Sequence, residues 1–441
     1  MSYRINRPEG LEKSYDYRVT VSIGGAEEEL YCAHATVRRL FKDTSMDHEK
    51  MTFCSVDWDF TSPLTITVTP NRMWNDVCIR PRNARIPYTV DGSSIVITLD
   101  KPQKFSLELD GDMRHNLFVY ACLPAVVPEG EKVRVFGPGT YDIGQLCVEE
   151  GETVYIDGDA VIFGYIKAKG SNIRICGHGV ITAAKENHDV NLPRVHLFHG
   201  AECEHLDIDG IVMLDSPTWT LCLEYCQYVE ITDVKQICFN NNSDGFDICS
   251  CEHVHIDDCF VRNWDDNISI KARNRDNRYI LMENCILWAD CAHNMLIGPE
   301  SGKDAENDFC HITFRNIDVL EHKEQCDFYM GVMAIFCADN ASFYDIEWDG
   351  IRIERMTYGR IFDCNYVSVF AETYGKSVRD IRMKNIDCYA PIVFKSRIRG
   401  LDENRIMSDF TLENIRINGI PVKEGEPSFE IGNFVENLVI R

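Results

Sequence analysis

Two short acidic stretches carry the residue types that could do chemistry. They are Asn242-Ser-Asp244-Gly245-Phe-Asp247 and Trp264-Asp265-Asp266-Asn-Ile-Ser-Ile-Lys271. Asp244 and Asp265 lie 265 − 244 = 21 residues apart. Carboxylates gathered in one place repel, so their pKa values separate and one can stay protonated near neutral pH. A protonated carboxyl beside an ionised one is the acid–base pair that glycosidic hydrolysis requires. Taken singly, each Asp is more often what a turn uses to cap its own backbone. Three of them followed by a lysine point to a site.

Those carboxylates meet only if the chain brings residues about twenty apart to one place, and a repeat in the sequence does so. Cys203-Glu-His-Leu-Asp-Ile-Asp, Cys226-Gln-Tyr-Val-Glu-Ile-Thr and Cys251-Glu-His-Val-His-Ile-Asp align at offsets of 23 and 25 residues. Weaker copies follow at Tyr279–Met282, His311–Phe314, Tyr344–Trp348, Val378–Met383 and Ser408–Leu412. Each copy is an alternating strand ended by Asn, Asp or Gly, with little room for helices. A period in the low-to-mid twenties predicts a right-handed parallel β-helix whose successive coils stack at about 4.8 Å. In that geometry Asp244, Asp265 and Asp266 fall on adjacent coils. Cys203, Cys226 and Cys251 form an interior ladder, and Cys259 with Cys285 forms a second. The alternation that turns Val254 and Ile256 inward turns His253 and His255 outward, onto a solvated strand face.

The front of the chain has a different rhythm. Residues 1–125 hold short alternating stretches at Tyr17–Ile23, Leu64–Val68, Ser94–Leu99 and Phe105–Leu109, separated by turn residues. This predicts a small β-sandwich. The Pro/Gly punctuation of residues 123–130 (LPAVVPEG) sets the boundary, with the β-helix domain running over 126–441.

Bulk properties narrow the function. The 441 residues carry a formal charge of −25, which disfavours nucleic acid and anionic membranes as partners and weakly disfavours a polyanionic substrate, an effect that a local basic pocket overrides. No apolar run approaches the roughly 20 residues of a membrane span. The 20 cysteines include no C-x-x-C pair, and the start MSYRINRPEG has no apolar core like that of a signal peptide. The expectation is a cytoplasmic protein with reduced, buried cysteines and no metal or cofactor.

The two acidic stretches resemble glycoside hydrolase family 28, the polygalacturonase family. That family carries Asn-Thr-Asp-Gly and, about one coil later, Asp-Asp with a following Ile-Lys. Upstream, Ser216-Pro-Thr-Trp219-Thr and Cys226-Gln-Tyr-Val-Glu-Ile resemble the segment before its first catalytic strand. The sandwich leading into Phe136-Gly-Pro-Gly-Thr-Tyr is similar to the dextranase and isopullulanase group, family 49. Both families are inverting hydrolases with three Asp residues. The resemblance therefore implies an inverting glycosidase acting on α-linked sugars, with Asp265 as general acid and Asp244 and Asp266 holding and activating water. It places Lys271, His293, Asn242 and Trp219 near the substrate.

Two departures stand out. The family's Gly-His-Gly is replaced by Ala292-His293-Asn294, and its Arg-Ile-Lys, which grips the uronate carboxylate, has no counterpart around Gly331-Val-Met-Ala. A uronate held without a cationic fork is poorly paired. The expectation is a neutral sugar, or a uronate recognised through His293, Lys271 or the basic turn Lys395–Arg399. Exo action on short imported oligosaccharides accompanies the cytoplasmic expectation. Two other readings share the fold. One is a polysaccharide lyase or epimerase using calcium held by the Asp cluster, marked by chelator sensitivity and unsaturated products. The other is a non-catalytic glycan-binding β-helix, for which the Asp cluster has no purpose.

Overall fold

The inward-facing residues of the repeat form continuous ladders across neighbouring strands. Leu206 pairs in register with Val229, Val229 with Val254, Val254 with Ile280, and so on through Ile312, Ile346 and Ile381 to Phe410. These registers come from a computed structural model that describes residues 3–23, 25–38, 48–188, 194–304 and 306–441. From Val133 to Ile440 all strands belong to one 28-stranded sheet. Its rungs are parallel, and strands several places apart in sequence pair with one another. That is a sheet wound around an axis, a parallel β-helix. A single 3-10 turn at Arg82–Ala84 is the only helical element among the described residues.

Two sequence features build the coils. Alternate residues enter a dry interior, where Val229, Ile231, Ile256 and Met282 are fully buried. At the corners the backbone turns through left-handed conformations that Asn and Asp tolerate. Asn284 and Asn316 have φ of 55° and 53°. Their amides stack, Asn316 Nδ2 donating to Asn284 Oδ1 at 2.6 Å and Asn284 Nδ2 to Asp257 Oδ1 at 2.7 Å. The cysteine ladders form as expected. The Cys203 N–H donates to Cys226 Sγ, the Cys226 N–H to Cys251 Sγ and the Cys259 N–H to Cys285 Sγ, each at 3.4 Å. All 20 cysteines are unbridged. His253 stacks outside between Tyr228 and Tyr279, at 4.9 and 4.7 Å. His255 bridges Glu230 and Glu283.

One expectation needs correction. A period in the low-to-mid twenties describes only part of the helix. The coil from Leu206 to Val229 has 23 residues, whereas that from Ile346 to Ile381 has 35. The strands keep their register because the core face fixes it, so added residues leave the core as loops. One such loop, after the strand Asp308–Glu321, supplies part of the site below.

Among the described residues up to 122, the strands form two sheets packed face to face, a six-stranded mixed sheet and a five-stranded antiparallel one. The strand Leu117–Cys122 is buried on both faces. Leu117, Val119 and Ala121 point into the sandwich core. Phe118 and Tyr120 point at the helix, where they pack with Phe53 against Phe260 and Trp288. The Phe118 and Phe260 rings lie 4.6 Å apart. Each such buried aromatic contributes about 1.5–3 kcal/mol. The sandwich thereby braces Phe260–Asn263, the strand that leads into Asp265 and Asp266.

Candidate active site

Strand register decides which candidate residues meet. Leu221 pairs with Phe246, Phe246 with Ile268, Ile268 with Met295, and Met295 with Met333. Two residues before each of these stand Trp219, Asp244, Asp266, His293 and Gly331, one per coil. Backbone bonds carry the ladder through this turn, from Gly245 N to Asp266 O at 2.7 Å and from Asn267 N to His293 O at 2.8 Å. Asp244 is therefore stacked on Asp266, 22 residues later, and not on Asp265. One residue out of register, Asp265 leaves the ladder and is only half-buried.

The three carboxyls have different surroundings. Asp266 Oδ1 accepts two bonds from His293, from the backbone N–H at 2.9 Å and from Nδ1 at 2.7 Å. Asp244 faces Lys271 Nζ at 3.2 Å, and its Oδ1 has no partner among the described residues. Burial pushes the Asp244 carboxyl up to about 7, with Lys271 opposing and Asp266 adding to the rise. Asp265 is raised well above the usual carboxylate range, first by desolvation and then by the charges of Asp244 and Asp266. A carboxyl pushed toward its neutral form stands beside one that accepts two hydrogen bonds, and a division of that kind is what acid–base hydrolysis of a glycosidic bond needs.

Lys271 organises the floor. Its ammonium contacts Asp247 at 2.8 Å, Glu300 at 3.1 Å and Asp244 at 3.2 Å, and lies 3.8 Å from the centre of the Trp219 ring. Burial alone would lower its pKa, but the facing carboxylates outweigh that and hold it charged. Trp219 also stacks on His196, ring centres 5.2 Å apart. The cleft has a volume of about 320 Å³ and is lined by Asp244, Asp265, Asp266, Lys271, Trp219 and Asn242, with Asn242 exposed at the rim.

Two sequence-based placements are corrected. His293 does not stand over the cleft. It is fully buried behind Asp266, edge-on to Tyr329 and Phe336. The segment Ser396–Arg399 is a strand and not a solvated turn. Arg397 is buried on Asp363 at 2.9 and 2.7 Å, and Arg399 bonds Asn365 at 3.1 Å. No residue from 395 to 399 lines the cleft.

Several lining residues escaped the sequence reading, among them Arg194, Glu300, Glu324, Tyr329, Phe328 and Phe370. They come from loops with no repeat signal. Asp247 was visible within the first acidic motif, but only the fold shows that its carboxylate faces Lys271.

The chain is of the parallel β-helix class, with a cleft rich in carboxylates. Residues 140–437 match the family described as glycosyl hydrolases family 28, about two thirds of the chain. The chain belongs to that family and is a polygalacturonase-like glycoside hydrolase. Endopolygalacturonase B of Emericella nidulans is 23% identical over 283 residues, covering 59% of this chain and 71% of that protein. Probable endopolygalacturonase C of Aspergillus niger is 21% identical over 271 residues, covering 56% and 67%. Among solved structures, Dex49A from Penicillium minioluteum superposes with a TM-score of 0.69 at 14% identity, over 98% of this chain and 95% of that one. A hyperthermoactive exopolygalacturonase from Thermotoga maritima gives 0.53 at 14% identity, over 70% and 84%. Sandwich and helix together thus share their fold with Dex49A.

Proposed function

We propose that this hydrolase cleaves α-glycosidic bonds with inversion, using Asp265 as general acid and Asp244 with Asp266 to hold and activate water. The observation that carries the reading is the contrast between Asp265 and Asp266. The Asp265 carboxyl is pushed up, toward its neutral form, by desolvation and the charges of Asp244 and Asp266, while Asp266 is oriented by two bonds from His293. Asp265 gives its proton to the leaving oxygen. Water on the opposite face loses a proton to the Asp244–Asp266 pair as it attacks the anomeric carbon. His293 is a positioning residue that acts through Asp266.

The sugar in the cleft is neutral on this reading. Asp244, Asp265, Asp266, Glu300 and Glu324 line the cleft against only Arg194 and Lys271. Lys271 is already shared among three carboxylates. A uronate placed there would meet net negative charge. The same sharing weighs against a calcium-dependent lyase, whose ion would compete with Lys271 for Asp244, Asp247 and Glu300. Exo action on short imported substrates in a cytoplasmic setting is part of this proposal, argued from a sequence of 20 cysteines with no C-x-x-C pair, which suits a reducing compartment.

Asn preserves size and hydrogen bonding but cannot exchange protons. Asp244→Asn, Asp265→Asn and Asp266→Asn should therefore fold normally and lose about 10²-fold or more in turnover. Near-normal turnover in all three soluble variants overturns the assignment.

A further inference from the structure

Apart from the catalytic carboxylates, a donor set of different character stands on the outer face of three successive coils. His199 pairs in register with Cys222, and Glu224 pairs with Cys249. Leu221 and Leu223 turn into the core, so the alternate residues Cys222 and Glu224 share the outer face. The His199 ring, the Cys222 thiol and a Glu224 oxygen lie within 4.8 Å of one another. His199 Nε2 and Glu224 Oε2 are already joined at 3.0 Å. The Cys222 thiol also contacts the thiol of Cys249.

This set suits one class of ion. A tetrahedral zinc ion with bonds of about 2.0–2.3 Å holds neighbouring ligand atoms about 3.3–3.8 Å apart, so small side-chain rotations close the shell. Imidazole and thiolate favour zinc over calcium or magnesium. The His199 and Glu224 side chains are 24% and 27% exposed, which leaves an ion a way in. Cys222 and Cys249 are fully buried against Trp219. With two thiolates and one carboxylate, a filled site carries one negative charge in excess. Arg273 Nε, 3.7 Å from the other Glu224 oxygen, offsets part of it.

We propose that His199, Cys222 and Glu224, with Cys249 as fourth ligand, form a structural zinc site that ties three coils together. Zinc binding exchanges the ion for protons. The two thiols give theirs to solvent, and the ion takes the place of the proton shared by His199 and Glu224. All four positions are filled by the chain, so no open position remains for a water or substrate. Trp219 packs on both cysteines and lines the catalytic cleft, which puts the site behind one wall of that cleft. No C-x-x-C spacing marks it, because its ligands come from different coils and meet only through strand register.

The test is independent of the catalytic assignment. The chain is stripped with a chelator under a phosphine reductant, and zinc, or cobalt as a spectroscopic probe, is titrated in. One ion should bind per chain with release of protons, and the cobalt form should show a thiolate-to-metal charge-transfer band. Loss of a group that merely orients a ligand costs a metal site about 10–100-fold in affinity, so loss of a ligand should cost at least about 100-fold. His199→Ala and Glu224→Gln, both at half-buried positions, should each show that loss. Cys222→Ser should abolish the band, whereas Cys147→Ser, at an exposed thiol outside the set, should change neither. Absence of stoichiometric binding overturns the proposal, as does an affinity that survives both His199→Ala and Glu224→Gln. A cobalt complex without the thiolate band overturns it too, and directs attention to the sulfur-free group His255, Asp257 and Glu283.

Discussion

Replacing Lys271 by Met tests the electrostatic account of the site most directly. The ammonium is almost fully enclosed and faces Asp247, itself fully buried, at 2.8 Å and Asp244 at 3.2 Å. The Glu300 side chain, a third exposed, is served by water and adds little. Removing one partner of a buried ion pair costs about 3–5 kcal/mol, because the other charge is stranded. The stranded carboxylates escape by taking up protons, which fixes the pH dependence. A carboxyl whose folded pKa rises above its unfolded value of about 3.9 destabilises the protein increasingly as pH climbs from that value toward the folded pKa. The slope is about 1.4 kcal/mol per pH unit for each carboxylate. The parent shares this loss up to about 7, where its own Asp244 carboxyl stands, so the two proteins diverge only above that pH. The stability gap between Lys271→Met and the parent should therefore widen between pH 7 and pH 9, by up to about 3 kcal/mol for two units at that slope. Urea denaturation of both proteins at the two pH values measures this. A gap that is the same at both, or that narrows, refutes the reasoning. The substitution also removes the influence that lowers the Asp244 pKa, so the alkaline-going rise of activity should shift to higher pH.

Further expectations follow from the same geometry. Proton NMR of freshly cleaved α-glycoside should show the β-anomer first, and α-anomer first would mean that the acid and water-holding roles are misassigned. Titrating the denatured protein with a thiol reagent should count nearly all 20 cysteines as free, and several disulfides would contradict the reducing setting. Hydrolysis of a panel of neutral and uronic α-glycosides should favour those with a neutral sugar at the cleaved bond, whereas robust cleavage of oligogalacturonides alone would exclude a neutral-sugar cleft. His293→Ala should lower kcat more than it raises KM, since His293 holds Asp266 and does not touch the sugar. A KM effect alone would place it against substrate.

The sequence by itself determined the winding. A strand repeat with apolar residues at alternate positions and Asn, Asp or Gly at its end leaves a chain few ways to bury its core, and the recurrent cysteines mark the same register on successive coils. The acidic motifs were legible for a related reason, since a one-coil spacing in sequence becomes adjacency in space. What only the tertiary structure decided is everything that depends on a shift of one residue or on loop length. Asp244 stacks on Asp266 and not on Asp265 because the pairing of Phe246 with Ile268 sets the ladder. That offset turns Asp265 out of the ladder while Asp266 lies against His293. The loop after Glu321 brings Glu324 and Tyr329 to the cleft, yet it has no periodicity to announce it. Arg397, one of several basic residues in its segment, is withdrawn onto Asp363 by a strand pairing between Asp363 and Arg397. Local pattern fixes the period because each strand must bury its own face. Where a charge ends up depends on partners one coil away, such as Asp266 for His293 and Asp363 for Arg397, and no local pattern records them.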